Sequence, residues 1–322
     1  MTLFQFTRFR IMLLGLVTIA CLLWCGLALA EERAPLPDYV TDQFGTPPAI
    51  PQGDLSQTLR NALEIAFVES VTQTTWTDRQ DAALADIAAS DDPRIAWLIS
   101  DLLRFVSGPN LTRILSEAAA DLLEIKAPTQ NHWGIITDHL IAWDIPAPPE
   151  YLDTKRVIFT NLVPGWERIF TPGDIDWRLV SWGGVPIDDR AYDATDARCN
   201  CIPAADNPPV SNAEDAHWLK DSDIVFGIEV NGETRAYPRR IMEVREMVND
   251  TLGGRDLGIP YCTLCGAAQA YFTDELPAGV ERPILRTSGL LIRSNKVMFD
   301  VNTFSVFDTF LGTAVTGPLA ER

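Results

Sequence analysis

The chain has 322 residues, 47% of them hydrophobic, which is long enough for two domains with cores of their own. Its 44 acidic residues outnumber 26 basic ones, for a formal net charge of −18. An acidic surface of that kind repels phosphate backbones and anionic lipid, which excludes nucleic acid as a partner.

Arg8 and Arg10, an apolar run from Ile11 to about Ala30, and Ala28-Leu29-Ala30 before Glu31 form a signal-peptide pattern over residues 1–30. The run also approaches the roughly 20 residues that a spanning helix needs, so an uncleaved N-terminal anchor is the alternative. In both topologies the chain is expected to be exported: periplasmic, or held on the inner membrane and facing the periplasm. Cys21 and Cys25 go with this segment, and the rest keeps 24 basic against 44 acidic residues.

Residues 31–53 hold seven prolines and glycines from Pro35 to Gly53 and are expected to form an extended leader. A helical hairpin region follows over 54–145. Leu55, Leu59, Leu63, Ala66 and Phe67 recur at helix spacing, as do Leu84, Ile87 and Ala88. Asp92-Pro93 marks a helix start, with Leu98 and Leu102 facing a core. Leu115 and Leu122 share a stripe on the next helix. Pro146, Pro148 and Pro149 mark a linker.

A β-rich domain is expected over 151–322, which makes the whole chain α+β. Val157-Ile158-Phe159 is one β-like run, and Arg178 to Trp182 is another. Ile224 to Val230, Asn231-Gly232 and Glu233 to Tyr237 predict a hairpin, since both turn residues accept positive φ. Pro238 then opens a predicted helix that runs to Gly253-Gly254 and sets Glu243, Glu246 and Asp250 along one side. Later strands are expected over 267–272, 284–291, 296–301 and 305–310.

The chemistry concentrates in two cysteine pairs, Cys199-Asn200-Cys201 and Cys262-Thr263-Leu264-Cys265-Gly266. The second has the form of a metal knuckle, in which the glycine tolerates the turn, and its spacing also suits a thiol–disulfide couple. A direct Cys199–Cys201 bridge would be strained, so that pair is expected to ligate a metal or to cross-link to Cys262 and Cys265. Four thiolates from two loops suit zinc, iron or copper. His132, His139 and His217 form no metal motif, and His217 is the best additional ligand. No Gly-rich phosphate loop is present, so no nucleotide cofactor is expected.

Arg235-Ala236-Tyr237-Pro238, Glu246 to Gly254, Tyr261 to Gly266, Ser288 to Leu291, Ser294-Asn295 and Gly317-Pro318 stand in an ordered series. In this series, over about residues 155–320, the chain resembles the exported bacterial family of domain of unknown function 3179. The resemblance groups Glu246, Asn249 and Asp250 with the knuckle and implies that they support the site. Relatives place histidine where this chain has Arg245, and they continue beyond the Gly-Pro element, so the C-terminal end of the domain is expected to be missing.

Together these readings give an uncharacterised exported protein, with metal binding through Cys199, Cys201, Cys262 and Cys265 as the leading expectation. The alternatives are a periplasmic thiol–disulfide oxidoreductase with Cys262 as nucleophile and Cys265 as resolver, or a disulfide-stapled module for an unknown protein or small-molecule partner.

Overall fold

The computed structural model describes residues 35–194 and 198–320. The expected signal peptide or anchor lies outside the described residues, with Cys21 and Cys25. Among the described residues no helix is long and apolar enough to cross a membrane.

The chain divides into two compact units, residues 1–45 and 46–322. In the first, Asp38–Phe44 is a helix that ends at Gly45, with φ +77°. The leader is therefore not extended throughout. Its prolines precede this short helix or follow it, where they do not interrupt the hydrogen-bond ladder.

The second unit opens with helices. Gln57–Leu63 runs on through Glu64–Glu69 into Ser70–Thr72. Asp78–Ala88, Ala96–Leu103, Pro109–Leu122, His132–Ala142 and Tyr151–Leu162 follow. Ser56 caps the first through the Leu59 amide at 3.2 Å, and Thr77 with Gln80 forms a capping box at the next. Leu98, Leu102, Leu115 and Leu122 are buried, as their spacing predicts. Truncating one such leucine to alanine typically costs about 2–5 kcal/mol.

Val157-Ile158-Phe159 lies inside Tyr151–Leu162, not in a strand. Its buried set of Tyr151, Thr154, Lys155, Ile158 and Phe159 has helical spacing, which a three-residue apolar run cannot reveal. This helix ties the helical region to the sheets. The fully buried Lys155 Nζ donates to Asp101 (2.6 Å), to the Tyr151 hydroxyl (3.0 Å) and to the Val180 carbonyl (2.7 Å). Trp166 Nε1 donates to the Ser288 carbonyl at 2.7 Å.

Among the described residues the β-rich part has three sheets. Strands β1 (Val180–Trp182), β9 (Leu285–Ile292), β10 (Asn295–Asp300), β11 (Val306–Asp308) and β12 (Ala314–Thr316) form an antiparallel sheet in that order. In the second sheet β2 (Ala205–Asp206) runs parallel to β5 (Met247–Leu252), and β5 pairs antiparallel with β6 (Arg255–Cys262). The short β7 (Ala267–Ala268) and β8 (Tyr271–Phe272) also pair with β6. β3 (Val225–Val230) and β4 (Glu233–Pro238) make the predicted hairpin across exposed Asn231-Gly232. Ala204, Met247, Leu285 and Met298 pack together and join the two larger sheets.

The predicted helix after Pro238 covers only Arg239–Arg245. Glu246 turns left-handed (φ +53°) and closes it, and residues 247–252 are strand. Gly253 and Gly254, both at positive φ, are the turn of the β5–β6 hairpin and not a helix stop. A Cβ on Gly253 would stand 2.1 Å from the Val230 carbonyl oxygen, so only glycine fits. Glu243, Glu246 and Asp250 accordingly do not share a helix face. Met247 to Leu252 are buried except Thr251, and burial between layers selected strand over the helical spacing.

Candidate functional site

β6 ends at Cys262, and Thr263 to Gly266 turn the chain into β7, with Cys262 opposite Ala267. Gly266 takes φ +63°, the left-handed conformation that the glycine of the knuckle was expected to supply. Cys262 is buried, Cys265 is exposed, and both are free thiols.

The opposing wall comes from the other sheet. Ile292 pairs with Asn295 in the β9–β10 hairpin, so Arg293 and Ser294 form a two-residue turn. Both have positive φ, +46° and +68°, in positions usually given to Asn and Gly. Non-glycine residues held there are strained, and such strain gathers at functional positions. The turn aims the Ser294 carbonyl oxygen at the two thiols, 3.6 Å from Cys262 Sγ and 3.3 Å from Cys265 Sγ. Asn295 Oδ1 lies 3.8 Å from Cys265 Sγ.

A buried charge completes the wall. Lys296 Nζ donates to the Glu246 carbonyl and stands 3.8 Å from Glu246 Oε2. The Thr263 hydroxyl, inside the knuckle, donates to Glu246 Oε1 at 2.6 Å. Burial pulls Lys296 down to about 8, against the opposing charges of Glu246, Cys262 and Asp188. Desolvation, a hydrogen bond to Cys262 and the charge of that group push the Cys265 thiol up to about 11.

The first cysteine pair is in another state. Cys199 and Cys201 are joined to each other by a disulfide, where metal ligation or cross-links to Cys262 and Cys265 were expected because a bridge two residues apart is strained. The chain bends at Asn200 and brings their Cα atoms to 5.1 Å, inside the span that a disulfide bridges. Their sulfurs and an Asp188 oxygen lie within 4.8 Å of one another. Four sulfurs around one zinc would stand about 3.8 Å apart, from bonds near 2.3 Å. Among the described residues the only His, Cys, Asp or Glu group of three or more that close is Asp188, Cys199 and Cys201. The expected four-cysteine centre is therefore not formed. The pairs are carried by different segments, and the Ser294–Lys296 wall, not Cys199 and Cys201, faces the knuckle. His217 is exposed and joins neither pair.

Asp188 is a poor ligand as it stands. It is fully buried, and Arg190 donates to both its oxygens at 2.6 and 2.9 Å. The Ala204 amide donates to Oδ2 at 2.8 Å, and Arg286 Nε stands 3.8 Å away. Two guanidinium groups and a bonded pair of sulfurs oppose a cation there, so zinc, iron or copper does not fit this group.

Asn249 and Asp250 also act away from the knuckle, because they alternate along β5. Asn249 Nδ2 donates to Asp206 Oδ1 at 2.8 Å, and its Oδ1 accepts from the Leu285 amide at 3.0 Å. Arg286, fully buried, holds both Asp206 oxygens at 2.8 and 2.6 Å. Asp250 Oδ2 accepts from Arg235 Nη1 (2.6 Å) and from the Tyr237 hydroxyl (2.8 Å). Burial and the bond to Asp250 raise the Tyr237 phenol above its ordinary value. Of the three residues grouped with the knuckle, only Glu246 reaches it.

Sequence reasoning missed Lys296, Asp188 and Arg286. Ser294-Asn295 was visible as a motif, but nothing in its composition said that it faces the cysteines. The available signal was a lysine leading directly into the apolar run Val297-Met298-Phe299.

No curated protein and no solved structure matches the chain. Residues 199–322 match the model of a family described as "Protein of unknown function (DUF3179)", beginning at the first cysteine of the bridged pair. The matched segment is similar to the family to which the series of motifs points.

Proposed function

We propose that this domain exchanges thiols and disulfides through Cys262 and Cys265. The observation that carries the reading is the asymmetry of the pair. Cys265 is open to solvent, whereas Cys262 is buried within the electrostatic reach of the Lys296 ammonium. In the oxidised form a partner thiolate attacks the accessible Cys265 sulfur. The Cys262–Cys265 bond breaks, and Cys262 leaves as a thiolate whose charge faces Lys296. The partner's second thiolate then attacks its own sulfur in the mixed disulfide. A partner disulfide forms, and Cys265 departs and takes a proton. Two electrons pass from partner dithiol to domain, and exchange with a second disulfide-bearing polypeptide restores the oxidised pair.

Exposure thus reverses the roles read from sequence: Cys265 meets the partner and Cys262 is the buried resolver. Leu264, highly exposed between them, offers a polypeptide an apolar contact. An N-terminal signal or anchor would deliver the domain to a compartment where disulfide partners are present.

A second reading keeps a metal at the knuckle alone, because two sulfurs and the Ser294 carbonyl share one point. The Lys296 ammonium beside them disfavours it. The experiment is redox titration of the purified chain in glutathione buffers, with bound metal measured in parallel. A reversible Cys262–Cys265 disulfide with a potential above about −300 mV is expected. A stoichiometric metal released together with two thiols by acid would replace the redox reading.

A further inference from the structure

Asn295 is the first residue of β10, fixed by its pairing with Ile292 and by the tight turn before it. Its side chain is enclosed, with only 4% of the residue exposed. Its Oδ1 accepts from Cys265, yet its buried Nδ2 has no hydrogen-bond partner. An enclosed N–H donor left unpaired is costly, and each one in a folded protein calls for an explanation. A turn residue needs no such donor, because the β9–β10 turn is set by the backbone of Arg293 and Ser294.

We propose that the Asn295 amide is a donor held in reserve for Cys265: it accepts from the thiol through Oδ1, and turns over to donate Nδ2 when that sulfur carries charge. A half-turn about the last side-chain bond exchanges the two atoms and leaves the backbone in place. The sulfur otherwise faces the Ser294 carbonyl, Asn295 Oδ1 and Cys262, all of which favour the protonated form. The charged and titratable groups around the knuckle are Cys262 on β6, Glu246 at the helix end and Lys296 on β10, with the buried Asp188 within electrostatic reach of Lys296. Lys296 is engaged by Glu246, so Asn295 holds the uncommitted donor beside Cys265.

This inference adds a residue to the proposed exchange reaction and rests on that reading for its purpose. Its test does not depend on turnover. In the full-length Cys262→Ser chain, the rate of iodoacetamide alkylation at Cys265 is followed against pH by peptide mass spectrometry. Asn295→Leu, which cannot donate, is expected to move the midpoint upward by about one unit or more, since loss of one hydrogen bond to a thiolate has roughly that effect, and Asn295→Asp, whose carboxylate also repels the thiolate, by more. Ser294→Ala, which keeps the carbonyl, serves as the reference for disturbance of the turn. An unchanged midpoint in whichever Asn295 variant keeps the native circular dichroism overturns the proposal. Reversible disulfide formation is scored separately on the unmodified chain, so loss of the redox reading and loss of this one are told apart.

Discussion

Lys296 and Glu246 meet across the two sheets, the ammonium donating to the Glu246 carbonyl and standing 3.8 Å from its carboxylate. The left-handed turn of Glu246 that ends its helix points that carbonyl inward, where the Tyr261 amide also donates to it at 2.9 Å. Through Thr263 the same glutamate touches the knuckle, so a helix end, a strand and the thiol-bearing turn share one charge centre.

Burial lowers Lys296 from its ordinary 10.5 to about 8, so between these pH values the unfolded chain binds the extra proton. Stability contributed at this site therefore rises from pH 8 to 10.5 and is least below pH 8. Lys296→Met removes that rise, and urea unfolding of both forms at pH 7 and 10 measures the difference. At pH 7 the substitution should change stability by less than about 2 kcal/mol, because a buried ion pair is often no better than a packed apolar side chain.

Cys265 works in the opposite sense. Its thiol stays protonated in the folded chain to about 11, above the ordinary cysteine value of 9. The native state holds this proton longer than the unfolded one, so its contribution is complete below pH 9 and is lost as pH rises through 11. Cys265→Ser should flatten the fall in stability over that range, and an unaltered curve would refute the assignment.

Arg286 is the structural counterpart, fully buried and bidentate on Asp206. Asp206→Ala removes both close carboxylate contacts and leaves its guanidinium only Asp188, 3.8 Å away, and should cost about 3–5 kcal/mol in denaturant unfolding. Tyr237→Phe removes a single hydrogen bond to Asp250 and should cost only about 1 kcal/mol.

Reducing the Cys199–Cys201 bridge should destabilise the chain by less than about 2 kcal/mol, because it closes a very short loop. A thiol count with and without reductant, paired with thermal melts, checks this. A larger loss of stability would mean that the bridge organises Asp188 and its arginines.

What could be read from sequence followed local rules. The Asn231-Gly232 hairpin and the Asp92-Pro93 helix start depend on φ preferences and caps carried by adjacent residues, and both stand in the structure. Residues 246–252 failed because helix and strand spacing coincide over a short run, and the choice was made by burial between layers that adjacent residues do not record. The two cysteine pairs were each legible as pairs. That they would not form one four-sulfur centre was not, since it depends on how segments distant in sequence pack. Lys296 was invisible for the same reason, its partner lying 50 positions away.

The strained Arg293–Ser294 turn has a consequence for maturation. The knuckle belongs to one sheet and its acceptor wall to the other, with 29 positions between Cys265 and Ser294. Contacts of that sequence separation carry a loop-closure cost and form after local hairpins. Until the sheets dock, Cys262 and Cys265 are ordinary peptide thiols, with reactivity set by solvent alone and free to scramble with Cys199 and Cys201. The distinctive chemistry of the pair is acquired only once the two sheets dock, and an excised Thr263–Gly266 loop would not reproduce it.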